Sequence, residues 1–226
     1  MNSFAQLASD WRGDVPTGGL MAETKVDGWR AMRFPGIDGQ VRLWTRGGHP
    51  IEGTGHILHR LALMEREAGE AWFFDGEFQV GGTLAATKAW CERGWKLGGE
   101  AGVLHLFDGM PYREWRAGGT DQPLYERKAR LAELLGATEE AGDGWTWAER
   151  SRGAQPPTAV ALVEDGWCFD AQHVVAEARR AWACGLEGLV LKDPMAGYRR
   201  SRSSAWMKVK PGGPWWRNLS AQAIAA

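Results

Sequence analysis

A chain of 226 residues can hold one sizeable domain or two small ones, and 44% hydrophobic with 24% charged residues is an ordinary globular composition. No run of about 18 apolar residues predicts a transmembrane helix, and the opening MNSFAQLASDWRGD lacks the basic-then-apolar order of a secretory signal. Cys91, Cys168 and Cys184 are scattered without C-x-x-C spacing, which argues against a structural zinc site and suits a reducing, cytoplasmic setting.

In chain order, residues 22–24 and 29–34 read as extended segments around a turn at Asp27-Gly28. Residues 41–46 alternate apolar and polar side chains, as a half-buried strand does. Residues 57–68 form a helical pattern ended before Gly69, and residues 72–75 and 77–80 read as strands around a second turn at Gly76. Residues 103–107 are an apolar strand. Residues 124–135 are an amphipathic helix, with Leu124, Leu131, Leu134 and Leu135 on one side and Gly136 at its end. Residues 145–149 alternate again. Residues 171–184 place Val174, Val175, Ala178 and Trp182 at helical spacing before Gly185, and residues 189–191 and 206–209 are the last strands. Short strands with interspersed helices predict an α+β domain on mostly antiparallel sheets. Pro/Gly-rich joints at 16–19, 156–157 and 211–214 read as loops, the last as a possible linker.

A net charge of −1 gives the whole chain little attraction for nucleic acid, but the charge is uneven. Between positions 192 and 217, Lys192, Arg199, Arg200, Arg202, Lys208, Lys210 and Arg217 face a single acid, Asp193. Such a stripe fits a phosphate-contacting surface, or a solvated charged loop. The 14 tryptophans include Trp90, Trp95, Trp115, Trp145, Trp147, Trp215 and Trp216 as candidates for base stacking or for core packing. His56 and His59 lie three apart on a helix, with no third metal ligand evident.

The most informative stretch is Glu23-Thr24-Lys25-Val26-Asp27-Gly28-Trp29-Arg30, which carries K-x-D-G-x-R. A lysine becomes a nucleophile when burial or neighbouring cations favour its neutral amine. Asp27 could position that amine or a metal complex, Gly28 permits a tight turn, and Arg30 offers a planar fork for phosphate or ribose oxygens. The same pattern also fits a β-hairpin whose Asp-Gly turn is flanked by surface charges.

Further motifs follow in order. They are Thr45-Arg46-Gly47-Gly48, Phe74-Asp75-Gly76-Glu77, Leu106-Phe107-Asp108, Glu187-Gly188-Leu189-Val190-Leu191-Lys192 and Trp206-Met207-Lys208-Val209-Lys210. Together with K-x-D-G-x-R, this set resembles the covalent nucleotidyltransferases: ATP-dependent DNA ligases, RNA ligases and mRNA capping enzymes. The run EGLVLKDPMAGYRRSRSSAWMKVKP is especially similar to the short phage-type ATP-dependent DNA ligases, and the resemblance spans residues 22–211.

The resemblance implies a nucleotidyltransferase (adenylation) domain over residues 1–211, its sheets flanked by helices with the ATP site between them, followed by a tail at 212–226. It implies that Lys25 takes AMP from ATP, with Asp27, Lys208 and Lys210 as its catalytic company. Glu187 would serve Mg²⁺, and Arg30 and Glu77 the ribose. Arg46 would sit near sugar and phosphate, and Phe107 would stack on adenine. Glu23, with Thr24 beside it, would lie near the adenine amino group and favour ATP. The implied partner is nicked double-stranded DNA, held through backbone phosphates around 199–202. In the family an OB-fold domain follows K-x-K, and the fifteen or so residues after Pro211 are too few for one, so a separate OB-fold domain or protein is a further expected partner. Alternatives are an RNA ligase, a capping-type enzyme, or a non-catalytic nucleic-acid-binding module.

Overall fold

The computed structural model describes residues 4–97, 100–138 and 159–219. The lysine segment joins its two sheets. With β1 at Leu7–Asp10, strand β2 (Leu20–Thr24) enters one sheet, and β3 (Trp29–Pro35) enters another. The strands on either side of Asp27-Gly28 therefore do not pair, and the hairpin alternative is overturned. A Cβ on Gly28 would lie 2.4 Å from the Phe78 carbonyl oxygen. Glycine is needed there for this close approach, not for a left-handed turn.

The second sheet continues through β4 (Val41–Thr45), β5 (Pro50–Ile51), β6 (Trp72–Gln79), β7 (Val103–Pro111) and, past β8 (Gly119–Thr120), β9 (Val160–Leu162), in the order β5-β4-β3-β6-β7-β9. The first is completed by β10 (Asp165–Cys168), β11 (Leu189–Lys192) and, past β12 (Tyr198–Arg199), β13 (Arg202–Val209), in the order β1-β13-β11-β2-β10. Strands β8 and β12 form a small ladder of their own. Pairing is mostly antiparallel; β1–β13 and β7–β9 are the parallel pairs among the described residues.

The turn expected at Gly76 does not exist. Residues 72–79 form one strand, bulged between Asp75 and Gly76, where a Cβ would meet the His105 carbonyl at 2.7 Å. Helix α1 (Gly55–Ala68) stops at Gly69, whose φ of 71° is left-handed. Helices α2 (Leu84–Glu92) and α3 (Tyr112–Arg116) go beyond the sequence expectation, and α4 (Leu124–Thr138) runs through Gly136. Helix α5 (Ala171–Ala183) starts where the Asp170 carboxylate accepts the His173 N–H at 2.7 Å. The strand expected at 145–149, with Trp145, Trp147 and the joint at 156–157, lies outside the described residues.

Helices α1 and α4 cover the second sheet through Ile57, Leu61, Leu131 and Leu134. Helix α5 covers the first through Val174, Val175 and Ala178, joined by Trp11 and Trp215. A third cluster of Phe34, Phe73, Trp115, Tyr198 and Trp206 ties the sheets together. Trp115, its ring stacked 4.9 Å from that of Phe73, is core and not a base-stacking surface. The segment at 212–219 is not a free linker either: Pro214–Arg217 forms a 3₁₀ turn that buries Trp215.

Candidate active site

Between the two sheets lies a cavity of about 900 Å³, large enough for a nucleotide. The first sheet lends it Glu23, Thr24, Lys25, Lys192 and Lys208; the second lends Arg30, Glu77 and Phe107, with Arg46 on the loop after β4. That loop turns tightly, Gly48 N–H to the Thr45 carbonyl at 2.9 Å with Gly48 at a φ of 80°, and so aims Arg46 inward.

Lys25 directly follows β2, and its N–H donates to the Gly188 carbonyl at 2.9 Å. Its Nζ donates to Glu187 Oε2 at 2.5 Å, while Lys210 Nζ bonds the other oxygen of the same carboxylate. Burial pushes the Glu187 carboxyl up, but hydrogen bonds from Lys210 and Lys25 outweigh it and hold the group below its usual range, hence ionised. Lys208 pairs with Asp10 at 3.3 Å.

Arg30 faces Glu77 across the β3–β6 ladder. Its guanidinium makes a two-pronged contact with buried Asp75 (Nε to Oδ1, 2.5 Å), which also accepts the Tyr198 hydroxyl at 2.7 Å. The guanidinium carbon sits 4.6 Å from the Phe107 ring centre. Burial pushes the Glu77 carboxyl up to about 7 against the pull of Arg30 and Lys25.

Glu23 is buried, with one carboxylate oxygen on Lys128 Nζ and the other on Lys192 Nζ, each at 2.6 Å. Lys128 was not foreseen as a site residue; it also pairs with Asp165 at 2.6 Å. Lys192 was counted in the basic surface stripe, yet it is 1% exposed and lines the cavity. Its place as the last residue of the E-G-hydrophobic-K motif was the available signal. The remaining stripe residues have local partners: Arg199 with Asp121, Arg200 over the Trp115 ring at 4.4 Å, Arg202 with the Ala8 carbonyl, and Arg217 over the Trp216 ring at 5.3 Å.

The Asp27 carboxylate accepts the Leu84 N–H at 3.1 Å at the start of α2, and its carbonyl accepts Gln79 Nε2 at 3.1 Å. A free helix N–H there needs an acceptor, and Asp27 supplies it.

Solved structures with this fold share the two-sheet architecture. Pmar-Lig_PreS3 superposes with a TM-score of 0.72 at 20% identity, covering 93% of this chain and 47% of that one. The ATP-dependent DNA ligase of bacteriophage T7, solved in complex with ATP, gives 0.68 at 19% identity, covering 92% and 68%. The Chlorella virus DNA ligase-adenylate gives 0.63 at 18%, covering 91% and 66%. The fold is thus that of a DNA-ligase nucleotidyltransferase domain.

The family model described as "ATP dependent DNA ligase domain" matches residues 13–210. The chain belongs to the ATP-dependent DNA ligase domain family. Over 198 residues it is 30% identical to the multifunctional non-homologous end joining protein LigD of Pseudomonas aeruginosa. That match covers 86% of this chain but only 20% of LigD, so the chain spans a fifth of that relative's length. No helix among the described residues is long and apolar enough to cross a membrane.

Proposed function

We propose that this chain carries out the adenylation step of DNA joining, with Lys25 as the residue that takes AMP. Lys25 Nζ attacks the α-phosphorus of ATP; a P–N bond forms, the bond to the bridging oxygen of pyrophosphate breaks, and the ammonium gives up two of its three protons to solvent, keeping one on the phosphoramidate nitrogen. The observation that carries the reading is the Lys25 side chain, 24% exposed at the cavity wall, its amine held at 2.5 Å by an ionised carboxylate with two further lysines at the same site. Glu187 orients the amine, and Lys208 and Lys210 offset charge gathering on the α-phosphate. Arg30 and Glu77 meet the ribose, Arg46 the sugar and phosphate, and Phe107 the adenine face. Glu23, with Thr24 beside it, borders the adenine end. Asp27 holds the start of α2 beside the Lys25 segment.

Mg²⁺ keeps most of its waters and asks little more than one or two carboxylates plus substrate phosphates. The Glu187 carboxylate, beside Lys25, fits that demand. Bound there, it would supply charge neutralisation at the phosphates. AMP would pass from Lys25 to the 5′-phosphate at a nick in double-stranded DNA, and the 3′-hydroxyl would then displace it. Residues 1–211 would form the adenylation domain, and grip on DNA would draw on an OB-fold domain or partner.

The test is the intact mass of the protein after incubation with ATP and Mg²⁺. The expected result is a gain of one AMP, lost in Lys25→Ala and discharged by pyrophosphate or by nicked DNA. No adduct after pyrophosphate stripping and recharging, or an adduct that survives Lys25→Ala, would overturn the assignment.

A further inference from the structure

The run Gly212-Gly213-Pro214-Trp215-Trp216 has no part in the adenylation reading, yet it is tied to that site's frame. Trp215 is 7% exposed, and its indole Nε1–H donates to the Lys210 carbonyl at 3.0 Å, alongside the Gly213 N–H at 3.1 Å. Its ring stacks on Trp182 (centroids 6.1 Å apart, planes at 24°) and lies 6.1 Å from Trp11. Trp11 in turn donates its backbone N–H to the Lys208 carbonyl at 3.1 Å. Trp182 closes the last turn of α5, from which the chain runs directly into Glu187 and Gly188. Gly188 packs so closely on β13 that a Cβ would meet the Val209 carbonyl at 2.1 Å, and its own carbonyl holds the Lys25 N–H.

The Trp215 indole thus bonds the Lys210 carbonyl, Trp11 holds the Lys208 carbonyl through its backbone N–H, and the Trp182 indole lies against Gly188, next to Glu187. An indole that only filled the core would not need its N–H on the carbonyl of a cavity lysine, as Trp215 has on Lys210. We propose that Trp11, Trp182 and Trp215 form a positioning clasp that fixes the Glu187–Lys210 pair and through it the aim of the Lys25 amine, with Trp215 as its central member. The proposal rests on Lys25 being the adenylated residue.

The experiment compares Trp215→Phe, which keeps most of the packing and removes the donor, with Val174→Ala, which opens the same core without touching a cavity residue. Exposed Trp216→Phe is the neutral control. In Trp215→Phe the rate of Lys25 charging at saturating ATP should fall about tenfold with half-saturation unchanged, the size one lost orienting hydrogen bond can produce. Val174→Ala should lose as much or more thermal stability and charge within about twofold of the parent. Equal loss of rate in the two variants, or an unchanged rate in Trp215→Phe, would overturn the clasp. Amide hydrogen exchange separates this from failure of the adenylation reading. If the parent protein never charges, faster exchange at the Lys25 and Gly213 amides in Trp215→Phe alone would still support the clasp, and equal exchange in both variants would sink it.

Discussion

Replacing Glu23 by glutamine should weaken the fold by about 3 kcal/mol near neutral pH, and the deficit should shrink as pH rises. The two Glu23 oxygens each hold a lysine at 2.6 Å in a site where Glu23 is 2% exposed. At that distance the gross attraction is about 6 kcal/mol per pair at an effective dielectric of 20, most of it offset by desolvation and by repulsion between the lysines. Breaking a buried pair leaves a net cost of about 3–5 kcal/mol. The lower end applies because Lys128 keeps Asp165 and the glutamine oxygen still accepts one bond. Lys192 keeps the Phe107 carbonyl at 3.0 Å and the Phe107 and Trp206 ring faces.

Burial already holds the Lys192 ammonium below the usual lysine range, with Glu23 opposing the shift. Losing that opposition lowers its folded pKa further. Between the folded and unfolded values, the unfolded variant then binds more protons than the folded one, so its stability climbs with pH. Urea unfolding of parent and variant at about pH 7 and again near pH 9.5 measures both gaps. A gap under about 1 kcal/mol at neutral pH, or one that does not narrow at the higher pH, would refute the view that Glu23 holds these ammonium groups in place.

Two further outcomes follow from the same electrostatics. Glu77 has a folded pKa of about 7, above its unfolded value, so its contribution is present at low pH and is lost as pH rises through that window. Glu77→Gln should therefore gain on the parent between pH 5 and 8 by about 1 kcal/mol after solvent screening, read as melting temperature against pH; a flat difference would contradict it. Asp108→Asn leaves the Arg127 guanidinium, 0% exposed like its partner and bonded to it at 2.7 and 2.8 Å, without a counter-charge. It should cost about 3–5 kcal/mol in chemical denaturation, and a loss below about 1 kcal/mol would mean that water reaches the pair.

Most of the cavity wall was legible because its residues come in short fixed motifs on strands or the loops beside them. Lys25 follows β2, Arg46 follows β4, Phe107 lies within β7, and Glu187 precedes β11. Helices α1, α4 and α5 were legible from apolar spacing closed by glycine or continued past it. The bend at Asp27-Gly28 is present, but its hairpin reading and the turn expected at Gly76 both failed for one reason. Gly28 and Gly76 are glycines because another strand's carbonyl passes close to them, and a sequence does not distinguish that demand from a demand for positive φ. Strand β1 escaped because its partner β13 lies far along the chain, Leu7 pairing with Arg202, and the contact of Asp27 with the N-terminus of α2 was hidden because that helix was not foreseen.

The buried lysines were hidden for a deeper reason. Leu124, Leu131, Leu134 and Leu135 define the inward stripe of α4, and positions 127 and 128 fall on that same stripe at spacings of three and four. A stripe reading takes Arg127 and Lys128 for gaps in the apolar face. Each is instead an inward cation whose counter-charge comes from another strand: Asp108 on β7 for Arg127, Glu23 on β2 for Lys128. Because β7 belongs to the second sheet and β2 to the first, one helix pins both walls of the cavity through adjacent residues. Charge on an inward stripe carries no mark in composition or periodicity; it becomes legible only when the opposing acid is found, and here those acids lie 19 and 105 residues away.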